Sequence, residues 1–370
     1  MADDTSRFMA MKGAGYYSQA TVGARDVITA ATPVVLQALR AQKLDASGPA
    51  IGLSDMGAAD GGTSLEMWGQ VLRALRDDLP ERALQLTYTD LPKNDFSQLF
   101  QIVHGLTDIP TELPEIPNLY LMASGTSFHH AMVPPGSLHL GFSATASHYV
   151  STTPCEIADH VHMVGATGDT RAAFEAQGAR DWEAFLLARA TELAPGGRLV
   201  LYNFGIDEQG RYLGHTGGVS MFDTFNRLWR DLVTQGVITE AEYRATNFPQ
   251  CYRTPEQFAA PFRDPESPVY QAGLRLDDIG TLHTRCPFEA AFDAGETDAE
   301  GFAESYIPTL RSWSEPTFVA DLAGTRPGAE IAPIIDRFYG AYQEEVAKDP
   351  AGHAMDYIHC RVVARKVTSG

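Results

Sequence analysis

The 370 residues carry 47 acidic against 28 basic side chains, a formal net charge of −19. That sign argues against a nucleic-acid backbone or an anionic membrane as partner, since both demand a basic face, while a small anion could still bind through local donors. A hydrophobic fraction of 44% suits an ordinary globular chain of one large domain or two average ones, and no apolar run is long enough to span a bilayer.

In chain order, the opening "MADDTSRFMAMKGAGYY" begins on acids and has no apolar centre, so no secretory leader is expected. From about residue 49 the pattern is strand, turn, helix. "PAIGLSDMG" reads as a strand, and "TSLEMWGQVLRALRDDL" as a helix with Leu65, Trp68, Val71, Leu72 and Leu75 on one face. "ALQLTYTD" is the next strand and "NDFSQLFQIVHGL" the next helix; "IPNLYLMAS" and "SLHLGFSA" are further strands. "RDWEAFLLARATELA" is an amphipathic helix expected to stop at Pro195-Gly196-Gly197, before the apolar strand "RLVLYNFG". Alternation of this kind implies a parallel sheet covered by helices. Beyond about residue 210 the texture turns helical, broken by the Pro-rich "NFPQCYRTPEQFAAPF" and a strand near "IGTLHTRC", and the chain closes on the strand "MDYIHCRVVARKV". The expected organisation is an α/β core over residues 1–210, a helical cap over 211–267 and 293–350, and strands returning to the sheet within 268–292 and 351–370.

Two strand ends draw attention. Asp55 closes the first strand, and Gly57, Gly61 and Gly62 make the turn after it; Asp90 closes the second, just before Pro92, which cannot continue a central strand. In a doubly wound sheet ligands bind at the carboxyl ends of the strands. The first loop lacks the G-x-G-x-x-G spacing that seats a pyrophosphate, and "GAGYYS" at Gly13–Ser18 follows no strand. An acid with a looser glycine turn suits S-adenosylmethionine, which has no phosphate, and Asp90 on the neighbouring strand is placed to accept two ribose hydroxyls. Each acid can equally be an ordinary turn former. His129-His130 and His160-x-His162 lack the spacing and carboxylates of a metal site, so no metal is expected. No G-x-S-x-G elbow or P-loop occurs. Cys155, Cys251, Cys286 and Cys360 are scattered without a C-x-x-C, as expected of reduced thiols in a cytoplasmic protein. Phe222, Phe225, Trp229, Trp313, Phe338, Tyr339 and Tyr342 have helical spacing that favours core packing, with a subset free to enclose an apolar substrate.

The ordered segments "MKGAGYYS", "DMGAADGGTS", "TDLPKNDFSQLF", "SGTSFHHAMVPPGSLHLGFSATASHYVSTTP", "FLLARATELAPGGRLVL" and "FPQCYRTPEQF" resemble, over nearly the whole chain, the SABATH methyltransferases. These include the salicylic, benzoic and jasmonic acid carboxyl methyltransferases and the caffeine-pathway N-methyltransferases. The short, Ala-rich sequence suggests a bacterial member. The resemblance implies a Rossmann-like core with a helical cap, a homodimer, and S-adenosyl-L-methionine as cofactor. It implies cofactor contacts from Asp55, Gly57 and Asp90, with Asp90 on the ribose, Leu91 beside the adenosine, Ser127 and Phe128 on the adenine side, and Ser18 and Ser143 near the methionine end. His148 and Tyr149 match the family's "HW" pair, which meets the substrate carboxylate. The chain departs from the family in having Ser143-Ala-Thr-Ala146 for "SSYS", Tyr149 for Trp, "SQATVG" for "SYAMNS", and no clear match to the Gln that helps hold the carboxylate. Phe222 falls near a pocket Trp.

The implied reaction is methyl-ester formation on a small, largely apolar carboxylic acid. Such an acid is ionised at neutral pH and needs no base, leaving alignment and exclusion of water as the protein's task. Lys12, His148 and Tyr149 are the candidates for orienting it. An N- or O-methyl transfer to a heterocycle or phenol would instead need a base, for which His148 is the local residue.

Overall fold

The computed structural model describes residues 22–367. Two helices, α1 (Val22–Ala30) and α2 (Thr32–Arg40), precede β1 (Ile51–Met56), α3 (Leu65–Asp78), β2 (Leu84–Asp90), α4 (Phe96–Val103), β3 (Leu119–Gly125), β4 (Leu138–Ala144), α5 (Gly168–Glu192) and β5 (Leu193–Phe204). Helices α6 (Met221–Thr234), α7 (Glu240–Ala245), α8 (Pro255–Arg263) and α9 (Pro268–Gln271) separate β5 from β6 (Leu274–Thr284). Helices α10 (Pro287–Asp293), α11 (Ala299–Ala323) and α12 (Gly328–Lys348) separate β6 from β7 (Tyr357–Lys366).

The strands form one seven-stranded sheet in the order β3-β2-β1-β4-β5-β7-β6. β1 lies parallel to both β2 and β4, and β7 is antiparallel between β5 and β6. The order reverses between β1 and β4, so the chain leaves these neighbours in opposite directions and opens a crevice at their carboxyl ends. Period-2 alternation sends β5 side chains to two cores. Leu199 and Leu201 join Trp182, Phe185 and Phe262, while Val200, Tyr202 and Phe204 join the larger core that runs on into α6, α11 and α12. As the sequence predicts, Leu65, Trp68, Val71, Leu72 and Leu75 of α3 are all buried.

Helix α5 departs from expectation at both ends. It starts at Gly168, well before Arg180, and its first turn is tied down by Arg171, which donates to the Met163 carbonyl at 3.1 Å and to Glu175 at 2.8 Å, contacts that apolar periodicity does not register. Further along the helix, Asp181 accepts from the Ser151 N–H at 2.9 Å and its hydroxyl at 2.7 Å, and Gln177 Nε2 donates to Asp181 at 3.0 Å. It stops at Glu192, and Pro195-Gly196-Gly197 lies inside β5 rather than ending the helix. There the pairing jumps from Leu138↔Leu193 to Leu140↔Arg198, so the triplet forms a bulge, with Gly196 at φ +80°.

Candidate active site

The carboxyl ends of β1 and β2 place two acids side by side. Asp55 lies between Tyr88 of β2 and Phe142 of β4 and is 4% exposed. Its Oδ2 accepts from Ser64 Oγ at 2.6 Å and Trp68 Nε1 at 2.9 Å. Ser64 and Trp68 stand four residues apart at the start of α3, so one helical turn presents both donors to the strand end. Burial pushes the Asp55 carboxyl up to about 6; the two hydrogen bonds oppose that shift and the charge of Asp90 adds to it. Asp90 accepts the Ala59 N–H on Oδ2 and the Leu91 N–H on Oδ1, each at 2.7 Å, and burial raises its pKa against those bonds. A carboxylate offers about four lone-pair sites, so Asp90 retains capacity for two further donors.

The loop between β1 and α3 consumes its own N–H groups. Gly57 and Ala58 donate to the Thr89 carbonyl, Ala59 to Asp90, Gly61 to the Ala58 carbonyl and Gly62 to Asp60. Asn94 ties down the Ala59 carbonyl at 2.7 Å. A pyrophosphate cradle needs such N–H groups free and convergent; here they are committed. Gly57 takes φ +77°, and a Cβ there would stand 2.4 Å from the Ala146 Cβ and 4.0 Å from the Phe128 ring. Three loops therefore meet at Gly57, and only glycine permits the approach. Ser143 Oγ donates to the Met56 carbonyl at 2.8 Å and staples β4 to β1 at the switch in strand order.

Ser127 and Phe128 lie in the loop after β3, and that loop is pinned from α5. The fully buried Arg189 donates to the Phe128 and His130 carbonyls at 2.7 Å each and to Glu192 at 2.6 Å. Glu192 in turn accepts the N–H groups of Met132 and Val133. The Phe128 ring packs on Phe185 with centroids 5.7 Å apart.

Beyond the switch, the loop after β4 brings Thr145, His148 and Tyr149 to a small cavity of about 30 Å³. Phe204 closes it from β5, Leu213, Gln250 and Trp313 from the helical segments, and Met355 and Tyr357 from the approach to β7. Thr145 sits at φ +58°, a strained position for a branched residue. The buried His148 ring contacts Tyr149, Phe204 and Tyr252, with its Nδ1 unpartnered. Burial, with His359 and Arg253 nearby, depresses its pKa well below the usual imidazole range. No lysine or arginine is among the described lining residues.

The structure thus brings Asp55, Gly57, Asp90 and Leu91 together at one edge, with Ser143 beside them and Phe128 reaching the same loop. His148 and Tyr149 share a separate chamber. Phe222 does not line it; it packs behind, 6.0 Å from Tyr252 and 6.2 Å from Trp313. Lys12 and Ser18 lie outside the described residues. Sequence reasoning missed Ser64 and Asn94 altogether, and took Trp68 for core alone. It also missed Gln250, which stands in a segment noted for its prolines and for its likeness to the family. The i, i+4 spacing of Ser64 and Trp68 behind an acidic strand end was the one usable signal.

The methyltransferase FUS9 of Gibberella fujikuroi is 29% identical over 66% of this chain and 64% of its own length, so the chain spans just under two thirds of that relative. The loganic acid O-methyltransferase of Catharanthus roseus is 27% identical over 65% of this chain and 67% of its own length. A solved structure of loganic acid methyltransferase with SAH shares the fold, with a TM-score of 0.73 at 21% identity, covering 97% of this chain and 99% of that one. The family model for SAM dependent carboxyl methyltransferases matches residues 5–353, and the chain belongs to that family.

Proposed function

We propose that the protein converts a small, largely apolar carboxylic acid to its methyl ester with S-adenosyl-L-methionine. The observation that carries the cofactor is the committed backbone of the β1–α3 loop beside two buried acids: it suits a phosphate-free adenosyl group and not a dinucleotide. Asp90 would accept the ribose hydroxyls, Leu91 and Phe128 would flank the adenine, and Asp55 and Ser143 would lie toward the methionine. When bound, the cofactor supplies a sulfonium methyl whose transfer to a carboxylate oxygen releases a neutral thioether with no proton to remove.

The chain's own task is then to orient the acid and exclude water. The depressed pKa of His148 supports an acid rather than a phenol or ring nitrogen, because so weak a base is poorly suited to deprotonate either. Tyr149 donates to the carboxylate. Segments 211–267 and 293–350 act as a cap, since Leu213, Gln250 and Trp313 form the far wall of the chamber. Four unpaired cysteines favour a reducing, cytoplasmic setting, and the family likeness favours a homodimer. No described helix is long and apolar enough to cross a membrane.

The test is incubation with methyl-labelled S-adenosylmethionine and a panel of aromatic, terpenoid and aliphatic acids, read by mass spectrometry. Labelled esters support the proposal. Label appearing only in phenols or heterocycles would leave the cofactor reading standing and remove the acid.

A further inference from the structure

The cavity beside His148 and Tyr149 contains a side chain whose orientation is set from behind. Gln250 is 1% exposed and lines the cavity, and its backbone pairs with that of Tyr149 in an antiparallel bridge. Its Oε1 lies 3.2 Å from His162 Nε2. The other nitrogen of that ring decides which atom donates. The Val164 N–H points at His162 Nδ1 at 3.2 Å, so Nδ1 is an acceptor and carries no proton. A neutral imidazole then holds its proton on Nε2 and donates it to Gln250 Oε1. The ring is fully buried and stacked on Phe222, with centroids 3.9 Å apart and planes 16° from parallel, which packs it in this orientation. Burial, which depresses the His162 pKa well below the usual range, keeps it neutral.

The carbonyl end of the Gln250 amide is therefore committed to His162, and the NH2 end turns away from it. That NH2 makes no hydrogen bond to a described residue and so is available to an acceptor entering the chamber. With no lysine or arginine among the described lining residues, the chamber offers neutral donors to an incoming anion. A carboxylate only accepts, so it complements an amide NH2; a substrate N–H facing the same group would oppose donor to donor.

We infer that the Gln250 amide is the specificity-determining donor to one carboxylate oxygen of the substrate, and that His162 is the positioning residue holding its NH2 toward the chamber. The other oxygen is thereby left free to react. This rests on the carboxyl-methylating reading above.

The test compares wild type, Gln250→Leu, Gln250→Glu and His162→Phe on an acid that the wild type methylates, with S-adenosylhomocysteine affinity measured in parallel as a check of folding. Gln250→Leu should raise KM for the acid about tenfold or more, the scale of one charge-assisted hydrogen bond, with kcat less affected and homocysteine-cofactor affinity unchanged. Gln250→Glu keeps an acceptor for His162 but sets carboxylate against carboxylate, so its KM should rise further; it carries the test if the leucine variant does not fold. His162→Phe keeps the stack on Phe222 and removes Nε2–H, so KM should rise by less than in Gln250→Leu. Wild-type KM in both Gln250 variants overturns this inference and leaves the carboxyl-methylating reading intact. Wild-type transfer to phenols or ring nitrogens alone overturns both.

Discussion

The cofactor edge and the substrate chamber are built in different ways. At the cofactor edge, residues 55–68 and 88–94 supply acids, capping donors and turn from two consecutive strand–loop–helix units, and both acids and most loop N–H groups are paired within them, while the buried Tyr88 and Thr89 hydroxyls are unpartnered. The chamber draws its walls from residues 145–149, 204–213, 250, 313 and 355–357, and its polar groups include an unpartnered His148 Nδ1. A constant ligand can be met by a locally encoded, preorganised site. A variable one is met by side chains carried on separate segments, each free to change without disturbing the others.

The contrast breaks most severely if the cofactor edge is less rigid than it looks, and Arg189 tests that. Arg189→Met leaves Glu192 buried without a cation and frees the Phe128 and His130 carbonyls. Breaking a buried pair from one side typically costs about 3–5 kcal/mol of folding stability. Denaturant unfolding should show a loss of that order, and calorimetry on the surviving folded protein should show weakened cofactor binding. Unchanged stability would mean that the loop is held elsewhere. Next in size, Asp90→Ala should weaken S-adenosylmethionine binding by about 1.5–3 kcal/mol, the scale of hydrogen bonds to a charged group. Normal binding by calorimetry would remove Asp90 from the ribose.

A pH dependence sharpens the same edge. The Asp55 carboxyl is raised from 3.8 to about 6 in the fold. Between those values the folded chain binds a proton that the unfolded chain does not, so this group's contribution to stability falls as pH rises through that window and stays low above about 6. A cationic cofactor favours the ionised form. Affinity for S-adenosylmethionine should therefore be full above about 6 and decline as pH falls through that value, and Asp55→Asn should flatten the profile. Titration calorimetry across the range reads it directly; a flat wild-type profile would place the cofactor's charge away from Asp55.

The same division governs what the sequence reveals. Asp55 and Asp90 were legible because each ends an alternating apolar run and meets a residue that stops a strand, Gly57 or the proline at 92. The order of strands and helices was legible for the same reason, and the helical texture after residue 210 announced the insertions. The start of α5 was not, since Arg171 ties its first turn down through polar bonds to the Met163 carbonyl and Glu175 and leaves no stripe. Gln250 was not either: a glutamine in a Pro-rich segment carries no period, and its orientation depends on His162, 88 positions away. The burial of Phe222 follows the core packing that its helical spacing favours, while its position behind the chamber depends on contacts to Tyr252 and Trp313 that spacing does not encode.

The smallest expected effect falls on Tyr149. Its ring lies 4.3 Å from that of His148 at 34°, at the edge of the chamber rather than behind it, and it is only partly buried. A phenol can make the donation to a carboxylate that an indole N–H makes, from a smaller ring. Tyr149→Phe keeps the ring and its packing against His148 and removes only the hydroxyl. A partly solvated donor is worth less than a buried one, so the loss should be about 1 kcal/mol, a several-fold rise in KM for the acid. Cofactor affinity should not move, because Asp55, Asp90 and their partners lie on other strand ends. Steady-state kinetics with the acid varied, and calorimetry with S-adenosylhomocysteine, separate the two. A fall in cofactor affinity as large as the rise in KM would mean that the two regions are not independent, and that the loop after β4 serves both.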